Sequence, residues 1–177
     1  MGTRNLTMVI NKEGETKIAQ YGQWDGYPSG VGLGVLSFIK DKKMFNKLKK
    51  NLSKVRFLDR ENIDKEFAES YDKNSPQWSN EPDNRTEEQK YWFETYCSRD
   101  LAEKVLENIA HSKDKEIILL NSEDTAKNDG WVEYSYVINL NKNTFECYYH
   151  IDEEPIKVYS LDELPDEDDF ITDLNED

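Results

Sequence analysis

Arg4, Gln20, Tyr21, Gln23, Trp24, Asp25 and Tyr27 supply a cation, a carboxylate, two amides and three aromatic rings. Side chains of these types form recognition pockets, in which rings make the walls and a few polar groups set orientation. All but Arg4 fall in residues 20–30, QYGQWDGYPSG, where glycines at 22, 26 and 30 separate the larger side chains. A glycine-spaced loop lets backbone come close to another surface, whether a ligand or the rest of the fold. Both readings stay open on the residues. Arg4 and Asp25 form either a structural ion pair that fastens the loop or two poles of a pocket.

Other chemistry is thinly represented. The two cysteines, Cys97 and Cys147, belong to no CxxC pair, so no zinc site is written here, and no metal or cofactor is expected. The two histidines, His111 and His150, stand apart from any motif. Cys147 and His150 are three apart along a predicted strand, which sends their side chains to opposite faces. Ser29, His150 and Asp25 lack a nucleophile-elbow signature. The glycines around 30–34 are in the wrong order for GxGxxG, and no Lys-Ser/Thr follows them, so a phosphate loop is a poor match. No catalytic residue is assigned: the expected function is that of a non-enzymatic binding protein, the alternative being a small-ligand or hydrolytic site built on the Gln20–Gly30 loop.

The elements that must position the loop are legible from pattern. Asn5–Ile10 alternates as a strand, residues 11–15 make a turn, and 16–21 return. In an antiparallel pair the start of the first strand lies opposite the end of the second. Arg4 is therefore expected beside Gln20, Tyr21 and the loop. Residues 31–39 read as a buried helix with Ser29 as its cap. Residues 41–52 read as a second helix, amphipathic and rich in lysine: Lys42, Lys43, Lys47, Lys49, Lys50 and the nearby Lys54 make the one basic cluster, read as a solvated face. Asp59 is expected to cap a third helix, and residues 72–85 a long loop carrying Trp78. Thr86 and Gln89 suit a capping box, opening a helix with Tyr91, Trp92, Phe93, Tyr96 and Cys97. A further helix spans 101–111, and residues 116–120 form a short central strand. Residues 131–139, 144–150 and 156–159 make an antiparallel meander, which the first hairpin can join. The expected fold class is α+β: an N-terminal β-hairpin, a helical middle, a C-terminal meander and an acidic tail. Leu6, Met8, Ile18, Leu33, Leu36, Phe38, Ile39, Ile118, Leu120 and Ile138 are the expected core.

A chain of 177 residues with 36% hydrophobic content suits one domain, here 1–160, followed by the acidic segment 161–177. Net charge is −14, and nine of the acids lie from residue 162 onward with no Lys or Arg among them. Asp166, Glu167, Asp168, Asp169 and Asp173 are the candidate contacts to a basic protein partner, such as a nucleic-acid-binding protein or nuclease. Direct nucleic-acid binding is disfavoured, because its affinity comes chiefly from Lys and Arg. Deleting 166–177 is expected to leave the fold intact, since only Phe170, Ile171 and Leu174 there are apolar; their spacing of i, i+1 and i+4 suits one docked helical turn. No apolar run reaches membrane-spanning length, no signal-peptide pattern is present, and the cysteine usage fits a cytoplasmic setting.

The opening Met1-Gly2-Thr3-Arg4-Asn5-Leu6, with Ala19-Gln20-Tyr21-Gly22-Gln23-Trp24-Asp25-Gly26-Tyr27-Pro28-Ser29-Gly30, resembles a family of small uncharacterised proteins of phages, bacteria and fungi. The segments Tyr134-x-Tyr136-x-Ile138-x-Leu140 and Tyr159-x-Leu161 are also similar. The resemblance covers most of the chain and implies no particular reaction. A phage-type member implies an anti-defence role, acting as an inhibitor.

Overall fold

The computed structural model describes residues 2–58, 86–128, 130–151 and 153–175. The fold is α+β. Strands β1 (Asn5–Ile10) and β2 (Thr16–Gly22) form the opening hairpin, and β5 (Tyr134–Asn139), β6 (Thr144–Tyr149) and β7 (Lys157–Ser160) form the meander. They join in one five-stranded sheet ordered β2-β1-β5-β6-β7. The junction β1–β5 is parallel, so the chain must cross from one end of the sheet to the other between them. The helical middle makes that crossing.

Alternation along the strands divides two cores. Val9, Ile18, Tyr136, Ile138, Phe145 and Cys147 face the larger one, together with α1 (Leu33–Lys40), α2 (Lys42–Asn51) and α4 (Lys104–His111). Leu6, Met8, Ala19 and Val137 face a smaller core on the other side, with Ala126 of the short helix α5 (Glu123–Asn128). Leu33, Phe38 and Ile118 pack at the margin rather than inside, and the other expected core residues are buried. The helices end and begin where side chains can satisfy them. Asp41 caps α2 by accepting from the amides of Lys43 and Met44, and Thr86 and Gln89 form the expected capping box on α3 (Glu87–Trp92). Asn51 donates to the carbonyls of Ile109 and Ser112, closing the end of α4.

Three expectations change. The strand at 116–120 is shorter, β4 (Ile117–Leu119), and pairs in parallel with β3 (Val55–Phe57) as a separate two-stranded sheet. Its apolar run is buried against helices, which sequence cannot distinguish from the centre of a sheet. Residues Pro28–Gly32 form a π-helical turn before α1, and no side chain caps it, Ser29 included. The acidic segment is not a free appendage: residues Glu167–Asn175 form helix α6, and its Phe170 is fully buried. The expected helix after Asp59 and the loop around Trp78 lie outside the described residues.

Candidate functional site

One end of the sheet carries the candidate residues. Strand register puts Gly22 opposite Asn5, Asn5 beside Tyr134, and Tyr134 opposite Tyr149. The end of β2, the starts of β1 and β5 and the end of β6 therefore form one row. The loop from Gln23 onward leaves this row and folds back over it.

The loop is pinned at many points. Asn5 donates its Nδ2 to the carbonyl of Trp24 at 3.0 Å, and the Gly26 amide donates to the Thr3 carbonyl at 3.0 Å. The buried Tyr136 hydroxyl donates to the Gly26 carbonyl at 2.8 Å. Gly26 is required by this closeness, since a Cβ there would sit 2.8 Å from the Thr3 carbonyl oxygen and 2.9 Å from Asn5 Cβ. Gln20 Nε2 donates to the carbonyls of Tyr21 and Ser98. Gln23 accepts from the Tyr21 hydroxyl at 2.8 Å and from Arg99 at 3.3 Å. Burial raises the Tyr21 hydroxyl's pKa, with Arg4 and Arg99 opposing it.

The seven loop candidates thus divide by role. Gln20, Tyr21 and Gln23 hold the loop to the body. Trp24, Asp25 and Tyr27 are displayed, with Trp24 51% and Tyr27 54% exposed. Arg4 sits near the loop as the hairpin register requires, beside Tyr21. Its guanidinium lies 5.1 Å from the centre of the Trp131 ring, a cation–π arrangement. It makes no ion pair with Asp25, which corrects the pairing expected from charge. The reason is local: Asp25 adopts a left-handed backbone (φ 54°), and its carbonyl accepts from the Val31 amide, so the residue turns away from the strand that carries Arg4.

Along the same end an aromatic run extends beyond the loop. Tyr27 lies 5.9 Å from Tyr134, Tyr134 lies 5.3 Å from Tyr149, and Tyr149 lies 4.5 Å from the His150 ring. The alternation at 134–138 was legible, but that Tyr134 would bridge Tyr27 and Tyr149 required the parallel β1–β5 junction. On the other side of the loop is a cleft of about 450 Å³, between Trp24–Asp25 and residues 99–104. Trp24 Nε1 donates to Asp100 Oδ1 at 3.1 Å along it. Glu103 enters from the start of α4, its carboxyl pKa raised by burial and further by Asp25.

The acidic candidates lie next door. Helix α6 packs against the Pro28–Gly32 turn. Phe170 is held between Phe145 and Tyr159, with both ring centres 5.9 Å away. Asp166 caps the helix, accepting from the Asp169 amide at 2.9 Å. Glu167, Asp168 and Asp169 occupy its first turn, where the helix dipole favours negative charge. Asp166, Glu167, Asp168 and Asp169 are exposed. Asp173 differs from them: it binds Lys157 Nζ at 2.9 Å and the Tyr159 hydroxyl at 2.9 Å, so it is committed within the fold.

The two cysteines are buried away from this surface, and His150, at the end of the aromatic run, is bonded within the fold. Cys97 and Cys147 are buried, and burial pushes the Cys147 thiol's pKa up, away from the reactive thiolate. His150 Nδ1 is bonded to the Val132 carbonyl at 3.0 Å. Among the described residues no group of three His, Cys, Asp or Glu is placed to hold a metal ion. No helix among them is long and apolar enough to cross a membrane. Set against family models, curated proteins and solved structures, the chain matches none of them.

Proposed function

We propose that this is a non-enzymatic cytoplasmic binding protein that engages a basic protein partner through the loop end of its sheet. One juxtaposition carries the reading: α6, with its exposed carboxylates, packs on the turn that immediately follows the exposed Tyr27. Exposed aromatic rings attract Lys and Arg through their faces, and a flanking acidic helix adds long-range attraction and orientation. The loop itself is held by buried hydrogen bonds, so its displayed rings lose little freedom on binding. A nucleic-acid-handling protein or nuclease fits as partner, because carboxylates at this end would occupy a groove built for phosphates. Such an inhibitor has the character of the anti-defence role implied by the resemblance. The test is an array of Arg- and Lys-rich peptides probed with the wild type and a Tyr27→Ala, Tyr149→Ala variant. Selective retention by the wild type is expected; equal retention, or none, contradicts the proposal.

The cleft beside Trp24 favours a second reading, a small cationic ligand between Asp25 and Glu103, neither of which has an ion-pair partner among the described residues. That reading predicts a thermal shift with a small amine or guanidinium compound that persists at high salt.

A further inference from the structure

The opposite end of the sheet carries a different surface. There the β1–β2 turn and the end of β5 meet the last turn of α2, enclosing a groove of about 610 Å³. Lys12 and Lys17 line it from the hairpin, and Lys49 and Lys50 from α2. The sequence shows the α2 lysines as a solvated face; folding brings the two hairpin lysines across from them. None of the four has a carboxylate within 4.0 Å among the described residues, in a chain with 37 acids. Glu13 and Glu15, both exposed, also stand on the rim, Glu15 held by Asn11 Nδ2 at 2.9 Å, so the lysines outnumber the carboxylates there without being the sole charges. The half-buried Leu140 adds apolar surface, Leu52 lies buried beneath it, and Asn46 adds an amide.

Lys49 Nζ lies 4.7 Å from the centre of the Phe45 ring, and an anion in the groove would be attracted by all four lysines that line it. The charge calls for several phosphate oxygens in one ligand. The groove's volume is that of a small-molecule site, and Leu140 offers apolar surface for an uncharged planar group. We propose that this groove binds a nucleoside di- or triphosphate, its phosphates among Lys12, Lys17, Lys49 and Lys50 and its base toward Leu140. The site is independent of the partner-binding end, so either proposal can fail alone.

The test is isothermal titration of the full chain with ATP, inorganic triphosphate and adenosine at low and moderate salt. ATP is expected to bind tightest, inorganic triphosphate more weakly and adenosine not measurably, with both affinities falling as salt rises. Lys17→Gln and Lys50→Gln should each weaken ATP about tenfold, the scale of one charge-assisted contact. Lys42→Gln, on α2 but outside the groove, should change it by less than about twofold. Circular dichroism checks that each variant is folded, and the two groove variants are independent of one another. Absence of ATP binding would overturn the proposal. So would equal loss in Lys42→Gln, which would reduce the groove to general positive charge. Sedimentation of the same samples adds a further arm. A concentration-dependent oligomer, lost in Lys50→Gln without any nucleotide affinity, would assign the groove to α6 of a second copy instead.

Discussion

The ring of Phe170 lies nearly parallel to that of Phe145, 9° between planes and 5.9 Å between centres. This contact fixes the acidic helix to the sheet. Phe170 is fully buried, so Phe170→Ala should cost about 3–5 kcal/mol. Urea denaturation checks it. Deletion of 166–177 should destabilise at least as much, reversing the expectation that the acidic segment is dispensable for folding.

Tyr136 fastens the loop from below through its hydroxyl on the Gly26 carbonyl. Tyr136→Phe preserves the ring and leaves that carbonyl without this donor in a buried site. It should cost about 1–3 kcal/mol. Hydrogen exchange at residues 23–30 should quicken more than global unfolding explains, because the lost bond is the loop's own.

Two carboxylates should respond to pH with opposite sign. Asp173 is held below its ordinary range chiefly by Lys157, then by the Tyr159 hydroxyl. Its stabilisation is present above the ordinary Asp pKa and is lost as pH falls through the depressed value. Asp173→Asn should therefore be less stable than wild type at pH 7, with the gap closing in acid. Glu103 is raised, chiefly by burial. Its contribution is fully present below the ordinary Glu pKa and is lost as pH rises through the raised one. Glu103→Gln should be the more stable protein at pH 7, with no advantage near pH 3. Melting temperatures across pH for the three proteins decide both.

Much of this was legible in the sequence where a local rule sufficed. Alternation fixed β1, β2 and β6 to within a residue at their ends and β5 to within three, and Thr86 with Gln89 declared a helix start. Antiparallel register alone placed Arg4 beside Tyr21. What escaped depended on contacts distant in the chain. Charge suggested Arg4 with Asp25, but Asp25 turns back to serve Val31, and Trp131 takes the guanidinium instead. The spacing of Phe170, Ile171 and Leu174 showed a turn able to dock; that it makes the segment part of the core was not legible, because burial of Phe170 and Leu174 outweighs repulsion that solvent screens. The basic cluster showed the α2 side of the groove, but its meeting with Lys12 and Lys17 had no sequence signal, because the two pairs of lysines are more than thirty residues apart.

The most direct measurement of the partner-binding proposal is the salt dependence of affinity for the tightest basic peptide from the array. It compares wild type, Tyr27→Ala with Tyr149→Ala, and a variant with Asp166, Glu167, Asp168 and Asp169 changed to their amides. The aromatic variant should bind at least about tenfold more weakly, with its salt slope little changed, since its loss is of ring contacts. The amide variant should bind more weakly at low salt with a distinctly shallower slope, and converge on wild type at high salt. Equal affinities and equal slopes in all three proteins would contradict the proposal that the loop end and α6 form one binding surface.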